Sequence, residues 1–150
     1  MTDDPAGTTA PQAILVALDF AASSRRALEA AFAWRAMTSE ITALHVLDTD
    51  LAERIEAAGL GGRGEVMTKL RERAEQEFGW LAKEKGAEAF ASMIVEGVPF
   101  FEIVKIARDL EVDLIAMGTH TRSANLGQLL FGSTAEKVLR TSRCPVLCVP

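Results

Sequence analysis

The sequence has no excess of basic residues. Lys and Arg total 16 against 21 Asp and Glu, which gives a net charge of -5, and the acidic residues are spread along the chain. Such a chain has no long-range attraction to nucleic acid or anionic lipid, and no local basic patch supplies one. We therefore expect no nucleic-acid partner and no membrane partner.

Long apolar runs and a secretion signal are also absent from the sequence. No run approaches the roughly 20 residues that cross a bilayer. The segment 1–12, MTDDPAGTTAPQ, is acidic and rich in small turn residues, the opposite of a basic and apolar leader. We expect a disordered tail over 1–12 and one globular domain over 13–150.

Cysteine is scarce. The only two, Cys144 and Cys148, lie in the run CPVLC. On a strand they would be about 13 Å apart, which is too far for a disulfide. A zinc site requires closer cysteine pairs and further ligands. We therefore expect buried, reduced thiols in a cytoplasmic protein.

Short apolar runs alternate with longer segments of helical period, which predicts a doubly wound α/β domain with a parallel sheet and right-handed crossovers. The predicted strands are 13–18, 41–47, 89–95, 113–117 and 145–149. The predicted helices are 24–37, 65–85, 98–110 and 133–141. The segment 48–64 has a looser pattern and no helix is predicted there.

The segment GQLLFGST, Gly127 to Thr134, has the glycine spacing of a phosphate-binding loop, but Ser133 stands where the lysine should be. A loop of that kind follows a strand directly. Here the preceding strand ends nine residues earlier, at Gly118, and the residues between the two glycines are too apolar to cradle phosphate. The spacing alone therefore does not indicate such a loop.

Gly132 and Ser133 instead open a predicted helix. Ser133 and Glu136 have the spacing of a capping box and would then satisfy the first helical amides themselves. Alternatively, those amides and the helix dipole hold an anion. The local sequence favours the capping box.

Asp19 favours ligand binding at this place over the capping box alone. In a doubly wound sheet, ligands bind beyond the carboxyl ends of the strands where the strand order reverses. With the strand order 3-2-1-4-5, Asp19 at the end of the first strand lies beside Gly118. It could there bond a ribose hydroxyl or hold Mg²⁺, whereas the simpler alternative is an acid that stabilises the N-terminus of the next helix.

Four segments of the chain resemble the universal stress protein family: AILVALDFAASSRRAL, LHVLD, EGVPFFEIVKIARDLEVDLIAMGTH and LLFGSTAEKVLRTSRCPVLCVP. They agree with the family in order and over nearly the whole chain beyond the tail. The resemblance implies an open, Rossmann-like sheet of five strands, a cytoplasmic homodimer, and ATP binding in some members. The apolar strand Pro145 to Val149 would be the sheet edge through which two copies pair.

The glycine signature of the ATP-binding members is altered in this chain. That signature is a glycine, two residues, a second glycine, nine residues, and then glycine with serine or threonine. Gly118 matches its start and Gly132 with Ser133 its end, but Thr121 replaces the second glycine and the segment is one residue longer. Because threonine is β-branched and resists positive φ, the loop cannot take the family's path unchanged.

The same resemblance implies a set of ATP-binding residues. Ala17 and Asp19 would contact adenosine, and the backbone of Val46 would meet adenine. The segment Gly118 to Asn125, which includes Thr119, His120, Thr121 and Arg122, would wrap the phosphates, and Gly132, Ser133, Thr134 and Ala135 would cover them. Arg122, the only cation in this loop, either pairs with a phosphate oxygen or is solvated.

Two further patterns carry less weight. GLGGRG, Gly59 to Gly64, matches the dinucleotide-binding fingerprint in letters, but it does not follow the first strand, so a mobile loop near the mouth of the site is favoured over NAD binding. His45 is expected in the core or at its rim. His120 has no Ser or Cys nucleophile placed beside it by a recognised motif.

Together these patterns predict an ATP-binding regulatory protein in which the ligand orders the 119–131 loop and changes the surface offered to a protein partner. A slow ATPase is the second hypothesis, although the site lacks a lysine and a second metal carboxylate. The third is a homodimeric interaction module that binds no nucleotide.

Overall fold

The computed structural model describes residues 10–119 and 132–150. In this part of the chain, one sheet of parallel strands has the order β3-β2-β1-β4-β5. The strands are β1 (Ala13–Ala17), β2 (Glu40–Asp48), β3 (Ala91–Gly97), β4 (Leu114–Gly118) and β5 (Val146–Val149). The predicted α/β fold class and strand order are confirmed.

Helices alternate with these strands. They are α1 (Ala22–Trp34), α2 (Thr49–Ala57), α3 (Arg63–Lys85), α4 (Pro99–Asp109) and α5 (Ser133–Thr141). None of those in the described ranges is both long and apolar enough to cross a membrane.

The central strand β1 is buried on both of its faces. Successive residues of a strand point to opposite sides. In β1, Ile14 and Val16 pack in the cluster that includes residues of α1 and α3. Leu15 and Ala17 pack in the cluster that includes residues of α4 and α5. This two-sided burial accounts for the continuous apolar sequence of β1, as is typical of parallel strands.

Helix α2 lies in the segment for which no helix is predicted. Its N-cap is Asp48, whose side chain accepts a hydrogen bond from the Leu51 amide at 3.1 Å. Only Ala52 is buried in this helix. GLGGRG follows α2 and leads into α3, with Gly62 as the N-cap of α3. It therefore joins two helices. Dinucleotide binding requires instead that this motif join a strand to a helix.

The end of the predicted tail is attached to the sheet region. The Gln12 carbonyl accepts a hydrogen bond from the Glu40 amide at 2.7 Å, and the Gln12 amide donates to the Asp113 carboxylate. The Pro11 carbonyl accepts a bond from the Ser39 hydroxyl. Pro11 and Gln12, the last two residues of the predicted tail, are therefore hydrogen-bonded to the domain. Residues 1–9 lie outside the described residues.

Strand β5 forms one edge of the sheet, with β4 beside it. Cys148 in this strand and Cys144 just before it are free thiols and are half-buried, rather than fully buried as predicted. Burial raises the pKa of the Cys148 thiol because the thiolate loses hydration. Cys148 is thus a poor nucleophile at neutral pH.

Candidate functional site

A cavity of about 270 Å³ lies at the carboxyl ends of β1, β2 and β4. Since β1 has β2 on one side and β4 on the other, the cavity stands where the strand order reverses. Doubly wound sheets bind their ligands at this position. The fold therefore places this cavity at the point that the strand order predicts.

The predicted binding residues collect around this cavity. All of those in the described ranges line it except Ser133, namely Ala17, Asp19, Val46, Gly118, Thr119, Gly132, Thr134 and Ala135. Ser133 lines an adjoining cavity. His120, Thr121 and Arg122 lie outside the described residues.

Asp19 follows β1 directly and is held in a tight turn before α1. Its Oδ1 accepts hydrogen bonds from the Ala21 amide at 2.9 Å and from the Ser24 hydroxyl at 2.7 Å. Asp19 as a whole remains exposed toward the cavity. The carboxylate therefore supports the start of α1, as the simpler prediction has it, and is also accessible to a ligand.

The next residue, Phe20, has a left-handed backbone conformation with φ of 64°. This conformation is unusual for an aromatic residue and costs about 1–3 kcal/mol, so the surrounding structure must hold it. The Phe20 ring is buried, 4.7 Å from the ring of His45 and 5.2 Å from that of Phe78 between centroids. These contacts help to keep the turn that presents Asp19.

His45 lies in β2, is half-buried and lines the cavity, in agreement with a position at the core rim. Its Nδ1 is 2.6 Å from the Leu18 carbonyl oxygen. Because a carbonyl can only accept, Nδ1 carries the proton in this contact. His45 thus fixes the end of β1 immediately before Asp19.

Val46 lies where β2 extends beyond β1. The ladder between the two strands ends with Ala17 opposite Leu44 and with a bond of 2.8 Å from the Leu18 amide to the Leu44 carbonyl. Backbone groups two residues apart on a strand point the same way. The amide and carbonyl of Val46 therefore face the crevice beyond β1, where a ligand edge can replace the missing strand.

Gly118 and Thr119 form the opposite wall, at the end of β4. A Cβ on Gly118 would lie 2.7 Å from the Ser24 nitrogen and 2.8 Å from the Ser23 carbonyl carbon. Glycine is thus required there by the close approach of α1 to β4. The Thr119 carbonyl accepts a 2.6 Å hydrogen bond from the Gly132 amide, so this bond joins the two sides of the segment 120–131.

The first turn of α5 differs from the predicted capping box. The N-cap is Gly132, Ser133 is the first helical residue, and no cap hydrogen bond from a side chain is found in the described chain. Glu136 bonds Arg140 at 2.8 Å. The prediction of Ser133 as N-cap is therefore wrong. The extended Gly132, whose amide is bonded to Thr119, takes the N-cap position, and Ser133 is already helical.

An adjoining cavity of about 620 Å³ shares Asp48, Pro99 and Thr134 with the first. It is bordered by α2 and by the starts of α4 and α5. Lys137 of α5 lines it, with Nζ 5.0 Å from the Phe100 ring centroid, and so does Arg54 of α2. The described lining of the first cavity, by contrast, contains no lysine or arginine.

Asp19 is the predicted position for Mg²⁺. Among the described residues, no group of three or more His, Cys, Asp or Glu side chains is arranged to hold a metal ion. Mg²⁺ commonly uses one or two carboxylates together with water and substrate phosphates. The donor set therefore fits only a magnesium ion that arrives with a phosphate ligand.

Several lining residues are absent from the sequence-based prediction. Leu51 of α2 and Leu70 of α3 close one side of the cavity, and Pro99 and Ile103 of α4 close another. The acid and turn residues DTD before LAERI could have indicated the start of α2. The inward direction of these side chains depends on packing and has no local signal.

Comparison with known proteins links the fold to a family. The model of the universal stress protein family matches residues 11–150. Universal stress protein MJ0577 of Methanocaldococcus jannaschii is 35% identical over 151 residues, which cover 91% of this chain and 93% of that protein. Universal stress protein YxiE of Bacillus subtilis is 31% identical over 149 residues, covering 91% and 97%.

Solved structures agree with this match. The structure of MJ0577 aligns with a TM-score of 0.79 at 35% identity and covers 94% of this chain and 96% of its own. A universal stress protein in complex with cAMP aligns at 24% identity and TM-score 0.59, covering 95% and 98%. One from Archaeoglobus fulgidus in complex with dAMP aligns at 21% and 0.57, covering 95% and 100%. At these lower identities the likeness shows the fold alone.

Proposed function

Because the chain belongs to the universal stress protein family, we propose that it is a regulatory protein of this family that binds ATP in the cavity at the carboxyl ends of β1 and β4. The observation that carries the proposal is the convergence of Asp19, the open backbone edge at Val46 and the start of α5 around one cavity. The backbone edge at Val46 suits adenine, Asp19 suits the ribose, and the start of α5 suits the phosphates.

Adenine fits the edge at Val46. Its amino group is a hydrogen-bond donor and the neighbouring ring nitrogen is an acceptor, which suits a backbone carbonyl and amide. Apolar side chains of the lining, including Met117 and Ile103, give the base a dry surface. The ribose hydroxyls are then placed to donate to Asp19.

The phosphates are directed toward the start of α5. Its first amides have no cap from a described side chain, and the helix dipole favours an anion there. Ser133 and Lys137 border the adjoining cavity on the same helix. His120, Thr121 and Arg122 belong to the same proposal on the strength of the family pattern, with Mg²⁺ held by Asp19 and the phosphates.

The switch that we propose is ligand-dependent ordering of the 119–131 loop. The two described residues at the ends of this loop, Thr119 and Gly132, are fixed to the sheet. The Gly132 amide donates to the Thr119 carbonyl, and the Thr119 amide donates to the Val149 carbonyl of β5 at 2.9 Å. A change at the phosphates is thereby transmitted to the edge strand. ATP would thus alter the surface offered to a partner.

Binding without turnover is favoured over a slow ATPase. Nucleotide hydrolases of the phosphate-loop type use a lysine at the transferred phosphate, and the described lining of the first cavity contains no lysine. A steady release of phosphate that disappears in Asp19→Ala would establish the enzyme instead. A nucleotide-free module would show no response to any nucleotide.

The proposal is tested by thermal unfolding with and without ATP and magnesium. At a concentration 100 times the dissociation constant, a ligand of the folded state alone adds about 2.7 kcal/mol. For a chain of 150 residues this corresponds to a rise of roughly 5–10 °C in Tm. NAD, ADP and AMP serve as comparison ligands, and no shift at millimolar ATP would contradict the proposal.

A homodimer formed through β5 is the second part of the proposal. Ile115 donates to the Pro145 carbonyl, so the backbone groups of 146 and 148 point away from β4 and toward the open edge. An unpaired edge favours pairing with a second copy. Light scattering at micromolar concentration should give twice the mass of one chain, and a monomeric mass would rule the dimer out.

A further inference from the structure

An ion pair lies directly behind the turn that presents Asp19. Arg25 of α1 donates from Nε to the Phe20 carbonyl at 3.1 Å and from its terminal nitrogen to the Glu77 carboxylate of α3. Glu77 is buried, and its neighbour Phe78 packs edge-on against the Phe20 ring. One guanidinium therefore connects the left-handed residue to α3.

The planar guanidinium suits this double contact. Its donors are fixed in direction, so it can bind the Phe20 carbonyl and the Glu77 carboxylate at once, which a single ammonium group does less well. The contact acts on the backbone of Phe20, whose φ of 64° needs support from its surroundings. The Asp19 side chain then takes its direction from the same turn, through its bonds to Ala21 and Ser24.

We infer that Arg25 and Glu77 are positioning residues for the nucleotide site. They hold Phe20 in its left-handed conformation and so keep the Asp19 carboxylate aimed at the ligand. The inference rests on the proposed function for its effect on ATP, whereas its effect on the turn exists without any ligand. Neither residue touches the cavity itself, because neither belongs to its described lining.

The chain contains a natural control for this inference. A second ion pair, between Lys85 of α3 and Glu29 of α1, joins the same two helices. Lys85 has its pKa raised, first by the hydrogen bond from its ammonium to Glu29. This pair is one turn further along α1 from Arg25 and has no described contact with Phe20. Removing it tests the linkage between α1 and α3 without disturbing the Asp19 turn.

The experiment compares two double variants of the full chain. Arg25→Met with Glu77→Gln removes the guanidinium without leaving a buried charge unpaired. Lys85→Met with Glu29→Gln is its match. We expect the first to raise the ATP dissociation constant about 10-fold, the size of one lost hydrogen bond to a charged group, and the second to change it less than about 2-fold. Glu77→Gln alone keeps a side-chain oxygen that can accept from Arg25, so Arg25 stays on Phe20 and the ATP dissociation constant should remain near the wild-type value.

Two further measurements separate positioning from general stability. The Ala21 amide is bonded by Asp19, so its hydrogen exchange in the ligand-free chain should quicken about 10-fold in the Arg25 variant only. In an Asp19→Ala background, the Arg25 variant should weaken ATP binding no further. Equal effects of both double variants, or an unchanged Ala21 exchange, would overturn the inference.

The failure of the proposed function is distinguishable from the failure of this inference. If the wild-type chain binds no ATP, the proposed function is wrong. The Ala21 exchange rates then decide on their own whether Arg25 holds the Asp19 turn. Quicker exchange confined to the Arg25 variant supports the inference in that case as well.

Discussion

Gly118→Ala is expected to lower the free energy of unfolding by about 2 kcal/mol, the usual cost of overpacking. The added Cβ would meet backbone atoms of Ser23 and Ser24 at less than 3 Å. No change of rotamer can relieve that contact, so α1 must move away from β4. For a chain of this length, Tm should fall by roughly 4–8 °C, which thermal and urea unfolding can measure.

Gly79→Ala is the matched control. Gly79 lies inside α3 and is exposed, and outside its own helix backbone no heavy atom comes within 4 Å of the position that a Cβ would take. Alanine should there stabilise the helix by roughly 0.5–1 kcal/mol because it restricts the unfolded chain and has the better helix propensity. If both alanine variants were equally stable, the close approach of α1 to Gly118 would be disproved.

Asp19→Ala should abolish most of the stabilisation by ATP while the fold survives. A lost hydrogen bond to a carboxylate costs about 1.5–3 kcal/mol, or roughly 10- to 100-fold in affinity. At an ATP concentration that is 100 times the wild-type dissociation constant, a 100-fold weaker variant keeps only about 0.4 kcal/mol of stabilisation. Without ligand, the lost acceptor for the Ala21 amide should cost about 1 kcal/mol.

Asp113→Ala provides the control for this measurement. Asp113 is also exposed and also accepts backbone amides, from Gln12 and, at 3.2 Å, from Ala13. It precedes β4, at the end of the sheet opposite to Asp19. Its removal should cost a similar amount of stability and leave the ATP effect intact. An equal loss of ATP stabilisation in both variants would place the nucleotide elsewhere.

Asp19→Asn distinguishes the two roles proposed for the carboxylate. The amide oxygen can still accept from the Ala21 amide and from a ribose hydroxyl, but the group has no charge for a cation. Retained ATP stabilisation with an unchanged magnesium dependence would assign Asp19 to the ribose. Loss of the magnesium dependence alone would assign it to the metal.

The sheet could be predicted because its signals are local. Each strand is a short apolar run, buried on two faces in β1 and β4, and the periodic segments between them leave little choice but parallel pairing. Helix α2 has only nine residues, fewer than the window over which helical periodicity is a reliable signal. The bounds of α5 agree with the predicted helix, but its N-cap is Gly132 rather than Ser133, because the bond between Gly132 and Thr119 joins residues far apart in sequence.

Local sequence signals are sufficient for the fold class and for the acid after β1, since apolar runs and glycines express backbone and burial preferences that act within a few residues. The strand order and the other predicted cavity residues follow from the resemblance to the family. How these residues are held depends instead on tertiary packing. The left-handed Phe20 is supported by Arg25, whose ion pair with Glu77 joins residues 52 apart in sequence. The contact of Gly118 with α1 also joins distant segments. Such contacts form only when the helices settle on the sheet, where close packing fixes positions to a fraction of an ångström.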